Sequence, residues 1–373
     1  MAHLLLPHGS GGPLYRLPLD ELDRLLTLLQ RGGRTLIGPT VRDGTIVLAP
    51  IHASADLPRG RTTQQSPGSV RLVARTDDAL FGFTVGPDSA KRWLYPPRLE
   101  LWRAVPTEGG FTIATPPLFD GGHALLGLRA CDLAALAIHD RVLQDGPYAD
   151  PAYASRRSDV LLIAVQCAEA APTCFCASMG TGPRVEAGYD LSLTEVVGSH
   201  FLVEVGSDAG QRLLDQLPVT PAPSADADVP DQVAEGARAQ SRVMPTDIAA
   251  RLAQALESPH YDDIASRCLG CSSCTMVCPT CFCTTTEHVT ELSGEAVQSR
   301  RWDSCFDPAF TDLHGHAVRD GVGARYRQWM THKLSTWHDQ FDSSGCVGCG
   351  RCIAWCPAGI DLVAEALAVG APS

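Results

Sequence analysis

Cys268-Leu-Gly-Cys271-Ser-Ser-Cys274-Thr-Met-Val-Cys278-Pro279 is the stretch from which the rest of this chain is read, and Cys346-Val-Gly-Cys349-Gly-Arg-Cys352-Ile-Ala-Trp-Cys356-Pro357 repeats its spacing. Each reads C-x2-C-x2-C-x3-C-P. Three thiolates so close in sequence let a tight loop wrap three corners of one [4Fe–4S] cube, while the fourth cysteine, turned away by its proline, reaches the other cube. The expected ligand sets are therefore Cys268, Cys271, Cys274 and Cys356 for one cluster, and Cys346, Cys349, Cys352 and Cys278 for the other. A zinc ribbon would instead need two C-x2-C pairs a dozen or more residues apart.

Working outward, the chain has 373 residues, 45% of them hydrophobic, and a formal net charge of −12. That length allows two or three domains with a sizeable core. The acidic balance argues against nucleic acid or an anionic membrane as principal partner. Apolar runs such as Val160–Val165 and His123–Ala130 have strand length, too short for a membrane span. Met1–Pro7 has no basic region, full apolar core or cleavage site of a secretory signal, so a cytoplasmic location is expected. Clustered cysteines in a reducing compartment point to metal or redox chemistry before disulfides.

Upstream of the cysteine runs, Leu22, Leu25, Leu26 and Leu29 predict a helix over 20–31 with Asp20 as its cap. Leu36 and Thr45–Pro50 around Arg42-Asp43-Gly44 predict a hairpin. Residues 54–122 read as short strands, with Phe81, Phe83, Leu94 and Tyr95 as core. His123–Ala130, Asp132–Leu143 and Asp159–Val165 spell a β-α-β unit with parallel strands, which places Cys131 and Cys167 at the C-terminal edge where open α/β sheets bind ligands. Cys174-Phe-Cys176 is close enough in sequence to fold back over that edge. Phe201–Val205 predicts a strand, Ala209–Leu217 a helix, and 218–231 an exposed connector and domain boundary. Helices are expected over 245–258, 323–341, with Tyr326, Met330, Leu334 and Trp337 on one face, and 361–369. The expected architecture is an α/β (α+β) domain, 1–240, followed by an α-helical ferredoxin domain with two [4Fe–4S] clusters, 243–373.

Two readings stand for Cys131, Cys167, Cys174 and Cys176: inert buried thiols, or a third iron–sulfur site. Cys281, Cys283 and Cys305 are expected to line the cluster pocket. Arg300-Arg301 and the group Arg319, Arg325, Arg327 and Lys333 read as a solvated face, with charge offset for the clusters or partner docking as the functional alternative. Asp132 reads as a helix-start residue favoured by the dipole. No nucleophile–base set, Walker loop or G-x-G-x-x-G after a strand is present, and Gly9-Ser-Gly11-Gly12 precedes any strand. Without a nucleotide or flavin motif, the expected task is one-electron relay between other chains.

Gly127-Leu-Arg-Ala-Cys131-Asp132-Leu-Ala-Ala-Leu136, Arg156-Arg157, Cys174-Phe-Cys176, Cys278-Pro-Thr-Cys281-Phe-Cys283, Arg300-Arg-Trp-Asp-Ser-Cys305 and Cys346-Val-Gly-Cys349-Gly-Arg-Cys352 together give the chain, from about residue 120, a resemblance to a known family. It resembles the iron–sulfur beta subunit of cytoplasmic NAD(P)-linked [NiFe] hydrogenases, or sulfhydrogenases, and the related iron–sulfur subunit of anaerobic sulfite reductase. The resemblance implies a non-catalytic electron-transfer subunit of a hetero-oligomer. Its partners would be [NiFe] hydrogenase subunits with a flavin/NAD(P)-binding subunit or, in the relative, a sirohaem sulfite reductase subunit. An iron–sulfur sensor or scaffold is the alternative from another class.

Overall fold

The computed structural model describes residues 12–118 and 121–371; Met1–Pro7 and Gly9–Gly11 lie outside them. The chain begins with β1 (Tyr15–Pro18) and α1 (Leu22–Leu29). Leu22, Leu25, Leu26 and Leu29 are all buried, each contributing on the order of 1.5–3 kcal/mol. Asp20 does not cap this helix. It sits in a 3-10 turn, Leu19–Glu21, made between the strand and α1 without a side-chain cap. Strands β2 (Thr35–Arg42) and β3 (Thr45–Pro50) form the expected hairpin, with Asp43 and Gly44 both at positive φ, as a two-residue Asp-Gly turn requires.

A second hairpin, β4 (Arg61–Ser66) and β5 (Ser69–Ala74), precedes a short helix α2 (Lys91–Leu94) and a third hairpin, β6 (Arg98–Thr107) with β7 (Gly110–Ala114). Then come β8 (His123–Leu128), α3 (Ala130–Leu143), α4 (Pro151–Ser158) and β9 (Leu161–Val165), with β8 parallel to β9 as expected. Asp150 caps α4 by accepting from the N–H groups of Ala152 and Tyr153, with Pro151 at the first helical position. Strands β10 (Leu191–Val196) and β11 (His200–Val205), helix α5 (Asp208–Leu214), the short β12 (Thr220–Pro221) and α6 (Val229–Gly236) follow.

The main sheet has the order β12-β1-β11-β10-β9-β8-β2-β3. Its centre, β2, β8, β9 and β10, is parallel, and its flanks are antiparallel. Alternation along the strands decides the two faces. Ala124, Leu126, Ile163 and Val165 pack with α1 and α5, while Leu125, Leu162 and Ala164 pack with Leu133 and Leu136 of α3 and Tyr153 of α4. The stretch 218–231 is not a free connector. Thr220 and Pro221 pair with β1, and Arg16 Nη2 donates to Asp226 Oδ1 at 2.9 Å.

The C-terminal part contains α7 (Ile248–Gln254), α8 (His260–Arg267), α9 (Ser273–Met276), β13 (Thr284–Thr290), β14 (Ala296–Trp302), α10 (Val322–Thr331), a π-helical segment (His332–Thr336), α11 (Trp337–Phe341), α12 (Arg351–Ala354) and α13 (Leu362–Val369). Tyr326, Met330, Leu334 and Trp337 are buried as the stripe predicted. The segment between the cysteine runs is not helical throughout. It opens with β13 and β14, which join β6 and β7 in the order β13-β14-β6-β7, so the parts on either side of residue 240 share a sheet. A second core of Met244, Ile248, Leu252, Ile264, Phe306, Tyr326, Trp329, Met330 and Leu334 supports the cysteine loops.

Candidate metal centre

The two cysteine runs fold as near copies. In the first, Gly270 and Ser272 have φ of 60° and 66°; at the same places in the second, Gly348 and Gly350 have 63° and 73°. Left-handed residues at these places curl each loop so that its cysteines converge. In both loops a backbone N–H points back at the leading sulfur: Gly270 N to Cys268 Sγ at 3.5 Å and Gly348 N to Cys346 Sγ at 3.4 Å. Glycine is demanded more strictly in the second loop. A Cβ on Gly350 would stand 2.3 Å from the Thr173 carbonyl oxygen, and one on Gly348 2.7 Å from the backbone of Cys176.

Each loop closes over a cavity. The first is lined by Cys268, Cys271, Cys274, Cys356 and also Cys352, with Phe306, Tyr326 and Trp329 among its apolar walls. The second is lined by Cys278, Cys346, Cys349 and Cys352, with Phe175, Val347 and Leu362. Each therefore gathers three cysteines of one run and the last cysteine of the other, the exchange expected of a two-cluster unit. Cys352, Trp329 and Leu362 line both cavities. The donor chemistry and apolar walls fit a cube. Among the described residues, no three cysteine sulfurs lie within 4.8 Å of one another, which is too open for a tetrahedral zinc bound by thiolates at about 2.3 Å.

Burial raises the thiols of Cys268, Cys274, Cys349 and Cys352, and pushes Cys346 up to about 12. Without iron these groups are neutral, so cluster assembly must release protons. Cys278 is the exception: a hydrogen bond from Cys281, together with the Lys333 charge and the Thr280 hydroxyl, lowers it well below an ordinary thiol.

Cys281, Cys283 and Cys305 line neither cavity. They stand behind the walls around Lys333, which the sequence placed on a solvated face and the structure buries at 5% exposure. Burial opposes the ammonium, but the Cys278 sulfur first, then Cys281 and Cys346, raise Lys333 well above an ordinary lysine. Its Nζ donates to Thr280 Oγ1 at 2.8 Å. The π-helical turn presents Lys333 here, and its carbonyl accepts from Gly345 N at 2.8 Å, tying the helix to the second loop. Arg325 is also buried, donating to the carbonyls of Arg319 and Asp320, whereas Arg327 reaches Glu257 at the surface. Arg300 pairs with Asp150 and Arg301 with Glu287, so both serve intramolecular ion pairs.

Lys91 carried no signal in the sequence, because its partners lie far along the chain. It is 4% exposed, donates to the carbonyls of Met276 and Cys281, and stacks over Trp302 at 3.9 Å. The β4–β5 turn is a second unforeseen part: Gly68 N donates to the Ile353 carbonyl at 3.1 Å, seating that hairpin on the helix between Cys352 and Cys356.

Asp132 does more than start a helix. Its Oδ2 accepts from Arg129 N at 3.1 Å, while Oδ1 takes Nη2 of Arg351 at 2.8 Å, with both side chains almost fully buried. Arg351 lies between Cys349 and Cys352, so this pair fastens the second cysteine loop to the start of α3. Cys131, Cys167, Cys174 and Cys176 do converge there. Cys174 is within interaction range of Cys167, Cys176 and Cys349, and Cys131 of Cys176 and Cys349.

Residues 267–360 match the family model of a 4Fe-4S dicluster domain. Sulfhydrogenase 2 subunit beta of Pyrococcus furiosus (strain ATCC 43587 / DSM 3638 / JCM 8422 / Vc1) is 32% identical over 258 residues, covering 65% of this chain and 73% of that protein. No solved structure matches the chain. No helix among the described residues is long and apolar enough to cross a membrane. The chain belongs to the family of sulfhydrogenase beta subunits, a mixed α/β protein whose C-terminal 4Fe-4S dicluster domain serves iron–sulfur electron transfer.

Proposed function

We propose that this chain relays electrons one at a time between a flavin-bearing subunit that reacts with NAD(P)H and a [NiFe] hydrogenase centre on a further subunit of a cytoplasmic complex. The observation that carries this reading is the shared wall of Cys352, Trp329 and Leu362 between two cysteine-lined cavities. When bound there, two [4Fe–4S] clusters supply one-electron carriers with no proton or group transfer. Cys268, Cys271, Cys274 and Cys356 would hold one, and Cys346, Cys349, Cys352 and Cys278 the other. Phe175, Val347 and Leu362 wall the second cavity, and Lys333 among its lining offsets its negative charge. The first cavity reaches the surface: Cys271 is exposed, and its neighbour Leu269 is 68% exposed. This edge suits the approach of an electron-exchanging partner. Residues 243–373 carry the clusters in this reading, and residues up to 240 cover them from behind.

Anaerobic co-purification tests it. The chain is expected to bring down a flavoprotein and a nickel–iron protein, and NAD(P)H should bleach its visible absorbance only when that flavoprotein is present. Recovery of the chain alone, or with a sirohaem protein in place of the nickel–iron one, contradicts the proposal.

A further inference from the structure

Beyond the two cavities, we propose that Cys131, Cys167, Cys174 and Cys176 hold a third [4Fe–4S] cluster, next to the second cysteine loop. The fold brings these residues together from three directions. Cys131 enters at the start of α3, just beyond β8, and Cys167 follows β9, the adjacent parallel strand. The 174–176 segment returns over this edge and is locked against the second loop, with Phe175 N donating to the Gly348 carbonyl at 2.8 Å. Cys174 Sγ lies 3.7 Å from the Cys349 carbonyl oxygen. Gly182 leaves room where Cys176 meets α3: a Cβ there would lie 3.3 Å from Cys176 Sγ and 3.2 Å from Ala130 Cβ. Cys131, Cys174 and Cys176 are 6–7% exposed, and Cys167 is half-buried.

The charges around these thiols are what the inert-thiol reading leaves unexplained. Arg129, 2% exposed, lies within interaction range of Cys167. Its Nη atoms donate to the carbonyls of Phe81, Phe83, Val165 and Gln166, its Nε has no hydrogen-bond partner, and among the described residues it forms no ion pair. Glu195, also within range, is engaged by the N–H groups of Leu80 and Phe81. On the other side Arg351, paired with Asp132, lies within interaction range of both Cys349 and Cys131. A buried guanidinium with no direct ion-pair partner, as at Arg129, is costly, and four neutral thiols add no charge to meet it. A cube bound by four thiolates is anionic and does. Gln240 Nε2, 3.2 Å from Cys176 Sγ, is placed to donate to such a thiolate.

The choice of cube over a single ion follows from spacing, since no three of these sulfurs lie within 4.8 Å of one another. Loading exchanges four S–H bonds for four Fe–S bonds, with iron and sulfide supplied from outside and the protons released to solvent. The inference does not depend on which partners the electron path joins.

Iron and acid-labile sulfide are to be counted on the full chain, reconstituted anaerobically, for wild type and for Cys174→Ala and Cys167→Ala. The expected result is about twelve irons per chain in wild type and about eight in each variant, with the EPR signals of the two other clusters retained. A wild-type value near eight overturns the proposal even if a variant fails to fold. A wild-type value near twelve that neither substitution lowers overturns the ligand set.

Discussion

Replacing Cys349 by alanine is expected to remove about four irons per chain, one whole cubane. Cys349 is 8% exposed, and the second cavity offers no thiol besides Cys278, Cys346 and Cys352 to take its place. The first cavity, which Cys349 does not line, should keep its cluster and EPR signal. Cys283→Ala is the matched control: this thiol lines neither cavity, so its removal should leave iron content unchanged. Iron analysis of the two variants, purified side by side without oxygen, reads both outcomes. Undiminished iron in Cys349→Ala would remove that residue from the ligand set.

The second large effect is expected at Asp132→Asn. The substitution keeps a side-chain oxygen for the Arg129 N–H, so helix capping survives, but it leaves Arg351 charged and without a carboxylate at a site where the two side chains are 2% and 4% exposed. Breaking a buried pair from one side costs roughly 3–5 kcal/mol. Asp247→Asn at the surface pair with Arg251, where the side chains are 55% and 39% exposed, should cost about 0–1 kcal/mol. Denaturant unfolding under argon compares them. Equal midpoints would show that the Arg351 link between the cysteine loop and α3 carries no stability.

What the sequence made legible was local. The two cysteine runs announce their loops because the spacing of all four thiols lies within a dozen residues. The β-α-β unit over His123–Val165 shows because strand alternation and helix periodicity need no distant information. The roles of Lys91, Lys333 and Arg351 did not show, because each is defined by partners brought together only by folding: Lys91 by the Cys281 carbonyl, Lys333 by Thr280, Arg351 by Asp132. A basic residue on an amphipathic helix reads as solvated until its neighbours are known to be buried cysteines. The sheet β13-β14-β6-β7 was missed for the same reason, since β14 finds its partner β6 across most of the chain. The segment 218–231, rich in proline and alanine, has a linker's composition, yet Asp226 holds it to Arg16.

In the proposed relay, two cubanes would sit side by side across the wall formed by Cys352, Trp329 and Leu362. EPR spectroscopy of the fully reduced, anaerobically purified chain tests it most directly. Neighbouring reduced clusters should give a broadened, split spectrum from magnetic interaction, and the splitting across this wall should be lost in Cys349→Ala while the signal of the first cavity's cubane remains. Two independent unsplit signals, or a spectrum that the substitution leaves unchanged, would contradict it.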